Sequence, residues 1–474
     1  MRNTQLIWDK VEDHRPDLIG LADRVWGMPE TLYGEFRSCA EHTEMLRAKG
    51  FRLTQEVAGI PTAIMGEAGS GGPIIAILGE YDALPGLSQV AGIATPQPVV
   101  AGGHGHGCGH NLLGSAALLA ACALKDWLEE TGTPGRVRYY GCPAEEGGAA
   151  KTFMVREGVF GDVDAAITWH PDCMTRVDDP ESLANTRIDF TFHGRASHAA
   201  GSPHLGRSAL DAVELMSVGV NYMREHSVQD ARIHYAYLDA GGIAPNVVQA
   251  KATVRYAIRA LQLADMLALV ERVKNVARGA ALMTETRVEM TVFSAVSNNL
   301  VNETMDHTMH RALEELGGVP FDEADRLYAS AIQATLSMDD IAAPYKIVAQ
   351  TPRMDEPLCD YIVPLRPGGE KMVGSTDVAD VTWAVPTTEV LVATHAIGTP
   401  GHSWQITAQG KSPAAHKGMT HAAKAMARCA EMLFLDPPLL AEAKAEHARR
   451  LTQTPYICPL PDDLKPPLVP RPTE

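Results

Sequence analysis

The 474-residue sequence predicts an α/β fold with a smaller module inserted into it, and three observations carry that prediction. Apolar runs of strand length alternate with helical stretches over residues 1–185 and again over 297–474. Between these halves, residues 186–296 read as β-α-β-β-α-β, the split βαβ order of a ferredoxin-like module. Finally, acidic and histidine side chains recur just past the carboxyl ends of the apolar strands, the edge where open α/β sheets gather their ligands.

Residues 8–30 carry helical spacing through Leu18, Leu21 and Val25 and stop near Pro29. A second helix, about Ser38 to Lys49, ends at Gly50. Short β-rich runs follow at Arg52–Val57, Thr62–Gly66 and Ile74–Leu78, the last apolar throughout and read as a buried central strand. That strand leads into Glu80-Tyr81-Asp82-Ala83-Leu84-Pro85, and a Gly/Pro-rich loop over 86–107 then leads to the Ala/Leu-rich helix Asn111–Trp127. Strand Arg136–Gly141 ends in Pro143-Ala144-Glu145-Glu146-Gly147-Gly148, and after a helix near 150–157, strand Ala165–Trp169 ends at His170.

The inserted module comprises strand Arg187–His193, helix Gly206–Glu225, strands Arg232–Leu238 and Val247–Arg259, helix Leu261–Ala281 and strand Arg287–Phe293. Helix Glu303–Leu316 resumes the α/β pattern. A loop-rich section, strand Glu389–Ala393 and helix Lys417–Leu435 follow. The stretch from Pro455 to Glu474 holds seven prolines and reads as an extended tail on the surface.

Composition narrows the function. A net charge of −17 leaves no excess of basic groups to neutralise phosphates, which argues against a general nucleic-acid or anionic-membrane surface. The longest apolar run, Leu112–Leu124, is too short to span a bilayer. The first residues lack the apolar core of a secretory signal, and eight cysteines are scattered without framework spacing. The expectation is a cytoplasmic, two-domain enzyme with free thiols.

The chemistry-bearing stretch is His104-Gly-His-Gly-Cys-Gly-His110, three imidazoles and a thiol separated only by glycines. Thiolate and imidazole are what zinc and its first-row neighbours prefer, and Cys108 and His110 form a plausible ligand pair. The plainer alternative is a glycine-rich turn whose histidines cap the next helix. Joint occurrence tips the balance: Asp82, Glu145, Glu146 and His170 all lie at strand ends that would face the same crevice. Neighbouring glutamates leaving a strand point different ways, so a division of labour fits, one binding metal and the other serving as general base on a water. A last ligand could come from His395, His402, His416 or His421; His402, in Gly398-Thr-Pro-Gly-His-Ser-Trp404, lies on a turn able to reach a crevice. In the inserted module, His198 or Asn246 could polarise a carbonyl, and Arg255 and Arg259 share one strand face suited to a carboxylate. Turn residues beside a solvated basic face are the plainer reading there.

Assembled, these segments resemble the co-catalytic metallopeptidase family of glutamate carboxypeptidases and aminoacylases, in its amidohydrolase branch. The resemblance rests on Asp82-Ala-Leu-Pro85, Cys108-Gly-His-Asn111, Pro143-Ala-Glu-Glu-Gly-Gly148, His170-Pro171, Gly194-Arg-Ala-Ser-His-Ala199 and Asn246-Val-Val248, in family order over nearly the whole chain. It implies a zinc-peptidase-like catalytic domain with a central mixed sheet, and an inserted lid that forms a homodimer. By the same resemblance, Cys108, His110, Glu146, His170 and His402 would hold two divalent ions, zinc or manganese, with cobalt or nickel used by relatives. Glu145 would be the base, with Asp82 and His198 in the catalytic set and Asn246 and Arg259 binding substrate. The implied substrate is a small N-acyl or N-aroyl amino acid, p-aminobenzoyl-glutamate foremost, with a paralogous A-type chain as a possible partner. Two departures stand out: Gly79-Glu-Tyr-Asp82 replaces the usual Arg-Ala-Asp-Met-Asp, and Thr376-Asp377 stands where a Glu-Asp pair is common.

Overall fold

The computed structural model describes residues 4–177, 181–366 and 374–471. Helices α1 (Gln5–Trp26) and α2 (Phe36–Ala48) precede strands β1 (Arg52–Gln55), β2 (Ile64–Ser70) and β3 (Ile74–Glu80). A long loop leads to α3 (His110–Thr131), β4 (Gly135–Cys142), α4 (Ala150–Arg156), β5 (Ala165–Asp172) and β6 (Arg176–Val177). The middle of the chain runs β7 (Ala184–His193), α5 (Ala209–Met223), β8 (Arg232–Asp239), β9 (Lys251–Ala260), α6 (Leu263–Met283) and β10 (Arg287–Val296). The last third holds α7 (Glu303–Leu316), α8 (Glu323–Gln333), α9 (Met338–Ile347), α10 (Val378–Ala384), β11 (Thr387–Ala393), α11 (Trp404–Gln409), α12 (Pro413–Leu435) and α13 (Pro437–Gln453).

A seven-stranded mixed sheet has the order β1-β2-β4-β3-β5-β11-β6. Its four central strands, β4, β3, β5 and β11, are mutually parallel; β2 and β6 run against them, and β1 pairs antiparallel with β2 at the edge. Every residue of β3 is buried, as its unbroken apolar run requires of a strand covered on both faces. On one face lies α3, whose Ala- and Leu-rich surface packs between β3 and the helices α1 and α12. Since parallel strands share a direction, all four carboxyl ends open on one edge, and the candidate site residues gather there.

The second sheet, order β10-β7-β9-β8, is antiparallel throughout. Burial alternates along β9, so one face is apolar, and Phe190, Val254 and Ile258 pack there with Val213, Met216 and Val273 of α5 and α6. Strand β8 is a free edge that leaves Tyr235 and Tyr237 exposed.

Some sequence expectations need correction. The section expected to be loop-rich contains α8, α9 and α10, and α13 follows α12. Both α8 and α9 open with capping boxes, Asp322 with Asp325 and Ser337 with Asp340. The long helix α12 starts at Pro413, not Lys417, because Ser412 caps it and proline suits its first position. Strand β9 begins at Lys251; the preceding Val247 instead bridges to His198. The described part of the proline-rich tail, Pro455 to Arg471, is extended as expected but does not simply lie on the surface, and residues 472–474 lie outside the described residues. Leu460 is buried among Phe153, Phe160 and Val381, and the Tyr456 hydroxyl donates to Asp380 at 2.8 Å.

Candidate metal centre

Each of the four parallel strands delivers part of the site. Strand β3 runs into Glu80 and Asp82, β4 into Glu145 and Glu146, β5 carries His170, and β11 leads to the loop bearing His402. The loop of 86–107 returns the chain to Cys108 and to His110, the first residue of α3. Gly109 between them holds φ at +80°, and a β-carbon there would come within 3.1 Å of Pro171, so the approach of the two segments requires glycine.

Two groups of metal-type donors share Cys108: one with His110 and His170, the other with Glu146 and His402. Within each group the donor atoms lie within 4.8 Å of one another. The Cys108 sulfur sits 3.3 Å from His170 Nε2, and His402 Nε2 sits 3.3 Å from Glu146 Oε2. Both orienting contacts of His110 and Glu146 run to one carboxylate. Asp82 Oδ1 pairs with His110 Nδ1 at 2.9 Å, and Asp82 Oδ2 accepts from the Glu146 backbone N–H at 2.9 Å. This leaves His110 Nε2 facing the cluster, the carboxylate–histidine arrangement that fixes a ligand's tautomer and direction. His170 is fixed likewise, its Nδ1 bonded to the Pro171 carbonyl at 2.8 Å.

Whether a cation suits these residues can be judged from what they leave unsatisfied. His110 Nε2 and Glu146 Oε1 are buried without a hydrogen-bond partner, the imidazole nitrogen lying 3.3 Å from Glu80 Oε2. Buried polar atoms are costly unless paired, and these two face a thiol and two further imidazoles. The donor set fits divalent first-row ions. His402 is the open side of the centre: its side chain is 56% exposed, whereas that of His110 is fully buried.

The other carboxylate faces inward. Glu145 groups with Glu80 and His110, within 4.8 Å, and not with Cys108. Burial, then the charges of Glu80 and Glu146, hold its carboxyl well above the usual range, so it keeps a proton readily. Glu80 is itself tied to Lys151, whose ammonium lies 2.6 Å from both Glu80 Oε1 and Asp377 Oδ1. The two sequence departures noted above therefore meet on one buried lysine. Against the desolvation that would lower it, the neighbouring Cys108 and Asp82 raise the His110 imidazole well above its ordinary value. Burial, with His110 nearby, lowers His170.

The alternatives for the last ligand sort cleanly. His395 pairs its Nδ1 with Thr394 Oγ1, His416 with Asp23, and His421 with the Gly317 carbonyl. Among the described residues none of these three joins a metal-type group; His402 does.

With that geometry in place, similarity to known proteins can be weighed. The model of peptidase family M20/M25/M40 matches residues 76–434. The chain belongs to that family. It is 46% identical over 472 residues to the B subunit of p-aminobenzoyl-glutamate hydrolase of Escherichia coli (strain K12), covering 98% of each chain. It is 26% identical over 459 residues to the Xaa-Arg dipeptidase of Mus musculus, covering 94% of this chain and 92% of that one. Among solved structures, the aminobenzoyl-glutamate utilization protein from Klebsiella pneumoniae shares the fold, with a TM-score of 0.60 at 18% identity over 89% of this chain and 97% of that one.

Within this M20/M25/M40 chain, the second sheet contributes an arginine that sequence reasoning missed. Arg187 on β7 donates from both terminal nitrogens to the Glu146 carbonyl, at 3.3 and 3.4 Å. Arg259 lies on the neighbouring strand, bonds Ser375 Oγ at 3.3 Å, and leaves its Nε buried and unpartnered. Burial lowers both guanidinium pKa values, and Arg187 lowers that of Arg259 further. Arg255, expected beside Arg259, is already paired bidentately with Asp189 at 2.6 and 2.9 Å and lies over the Phe293 ring. The alternation of β7 could have pointed to Arg187, since Asn185 pairs with Arg259 and Arg187 is the next residue on that face. His198 and Asn246 belong to adjoining exposed segments: Ala199 N–H donates to the Asn246 carbonyl at 2.9 Å. Among the described residues, none of their hydrogen bonds runs to the cluster.

Proposed function

We propose that this chain is a metal-dependent amidohydrolase that cleaves N-acyl or N-aroyl amino acids, with p-aminobenzoyl-glutamate as its leading substrate. One observation carries the reading: donors from three strand ends and from the start of α3 converge around Cys108, with a separate carboxylate, Glu145, beside them. Similarity to the E. coli hydrolase chain over the whole length supports the substrate. Cys108, His110, Glu146, His170 and His402 would hold two divalent ions, which when bound supply Lewis acidity toward the amide carbonyl and acidify a water. Zinc is favoured by the thiolate, with manganese, cobalt or nickel as the other candidates.

Glu145 takes the proton from the attacking water and passes it to the leaving nitrogen as the C–N bond breaks. Asp82 touches no reacting atom in this scheme and positions His110 and Glu146. Arg259, joined by Arg187, binds the amino-acid carboxylate: two desolvated guanidiniums beside each other favour an anion between them. We place residues 186–296 as an inserted lid and dimerisation domain whose exposed β8 edge pairs two copies. His198 and Asn246 then serve the neighbouring site, stabilising the oxyanion. A paralogous A-type chain is an alternative occupant of that edge, since the E. coli relative is the B subunit of its hydrolase. Eight unpaired cysteines suit a reducing cytoplasm, and among the described residues no helix is long and apolar enough to cross a membrane.

The test is a hydrolysis screen of N-acyl and N-aroyl amino acids after loading with each of these metals. Release of p-aminobenzoate and glutamate is the expected result. Turnover of dipeptides alone would replace the reading with a dipeptidase, which the mouse relative favours. Metal content without hydrolysis would leave a binding protein.

A further inference from the structure

A cavity of about 240 Å³ opens against the Cys108–His170 side of the cluster, away from Arg187. Its wall is apolar where α9 and α11 close it: Met174, Pro344, Ile347, Val348 and Ile406. Pro344, Ile347 and Val348 are three and four residues apart, so one face of the α9 end is turned to the cavity. Helix α9 is seated there because Gly398 presents no side chain; a β-carbon on it would come within 2.6 Å of Ile341. The polar wall holds Asp172 and Arg176, 3.6 Å apart, with His395 beside them.

We infer that this cavity receives the acyl half of the substrate and seats its aromatic ring against the end of α9. The inference rests on the hydrolase reading above and adds to it the place in the fold that holds the acyl half. The reasoning is one of polarity along the substrate. An N-acyl amino acid has a carboxylate at one end and, in the aroyl case, an apolar ring at the other, with the scissile amide between them. The cluster stands between two walls of different character. On the Glu146 side are two desolvated guanidiniums with Arg259 Nε unpartnered. On the Cys108–His170 side is the mainly apolar cavity, where the one arginine, Arg176, lies 3.6 Å from the Asp172 carboxylate. A carboxylate in the second wall loses its hydration against apolar side chains and meets the like charge of Asp172, so the substrate lies carboxylate toward β7 and ring toward α9. An apolar cavity of about 150 Å³ accommodates benzene, so the space here is large enough for a substituted ring. Asp172 and His395 give a ring substituent polar neighbours, while the loop that carries His402 supplies Thr399 and Gly401 to the same wall.

The test uses Ile347, which lines the cavity and is no part of the cluster. Equilibrium dialysis with p-aminobenzoate as probe is expected to show binding to the metal-loaded wild type, and at least tenfold weaker binding to Ile347→Trp. In hydrolysis, Ile347→Trp is expected to lower kcat/KM for p-aminobenzoyl-glutamate at least 100-fold and for acetyl-glutamate less than threefold. Ile347→Ala, which leaves space instead of filling it, is expected to raise the preference for 2-naphthoyl-glutamate over p-aminobenzoyl-glutamate at least tenfold. Equal loss on acetyl and aroyl substrates, unchanged probe binding in Ile347→Trp, or no shift in Ile347→Ala would overturn the assignment. Probe binding that Ile347→Trp abolishes, in a protein that hydrolyses nothing, would uphold the cavity and overturn the hydrolase reading.

Discussion

Glu145 and Glu146 leave the same strand side by side, yet they end in different company. Glu146 turns toward Cys108 and His402, its backbone held from both sides by Asp82 and Arg187. Glu145 turns toward Glu80 and His110, in a pocket whose neighbours raise its proton affinity. The contrast teaches that adjacency in sequence can separate two roles when the chain leaves a strand in left-handed backbone. Ala144, just before the pair, has φ of 56°, a conformation costly for alanine that the surrounding contacts must hold in place.

The largest expected effect tests that separation directly. Glu145→Gln should lower turnover by about 10³-fold, within the ~10²–10⁴ range of general acid–base catalysis, while metal content by plasma mass spectrometry stays unchanged. A near-normal rate would end the base assignment. Glu146→Ala should do the reverse in order, losing bound metal first and activity as a consequence. Asp82→Asn is expected to weaken metal affinity by about 10–100-fold, as loss of a ligand-orienting carboxylate does, read by competition with a chelator.

Next in size are the arginines. Arg187→Ala and Arg259→Ala should each reduce kcat/KM by about 30-fold or more, since truncating a buried charge that pairs with substrate costs about 2–5 kcal/mol. Arg255→Ala should change it by less than about threefold, because its charge is committed to Asp189. Equal effects at all three would erase the distinction between binding and structural arginines.

The smallest effect concerns a third carboxylate, Glu35, which accepts from the Tyr33 and Ala144 N–H groups at 3.0 and 3.1 Å. Burial, with Asp82 nearby, raises its pKa from 4.5 to about 8. The folded state therefore holds this proton where the unfolded chain has released it, so the protein loses stability as pH rises through that interval. Urea midpoints measured between those pH values should fall, and Glu35→Gln should flatten the slope.

Much of the centre was legible in the sequence because its residues sit at the ends of strands whose apolar runs are unmistakable. Asp82, Glu145, Glu146 and His170 needed only the rule that strand ends of an α/β sheet share an edge, and Cys108 and His110 became legible once their glycine-spaced loop was set beside those ends. Arg187 was illegible for the opposite reason. Three arginines lie on paired strands, and which of them is neutralised depends on Asp189 opposite Arg255, a register no single segment reveals. Helices α8 and α9 were missed because they are short and open in polar residues. Their signal lay in capping boxes closed by aspartate, where glutamate or glutamine is the usual partner. Helix α13 carried an equally local sign, an aspartate cap followed by two prolines.

The stretch from Thr394 to His402 does two jobs at once, bringing an imidazole to Cys108 and Glu146 and forming part of the chamber beside them. A lineage retuning the enzyme to a new acyl group has little freedom to edit that stretch without disturbing the cations. Variation in taste should therefore collect on the far side, in α9, where side chains can be exchanged while the chemistry stays intact.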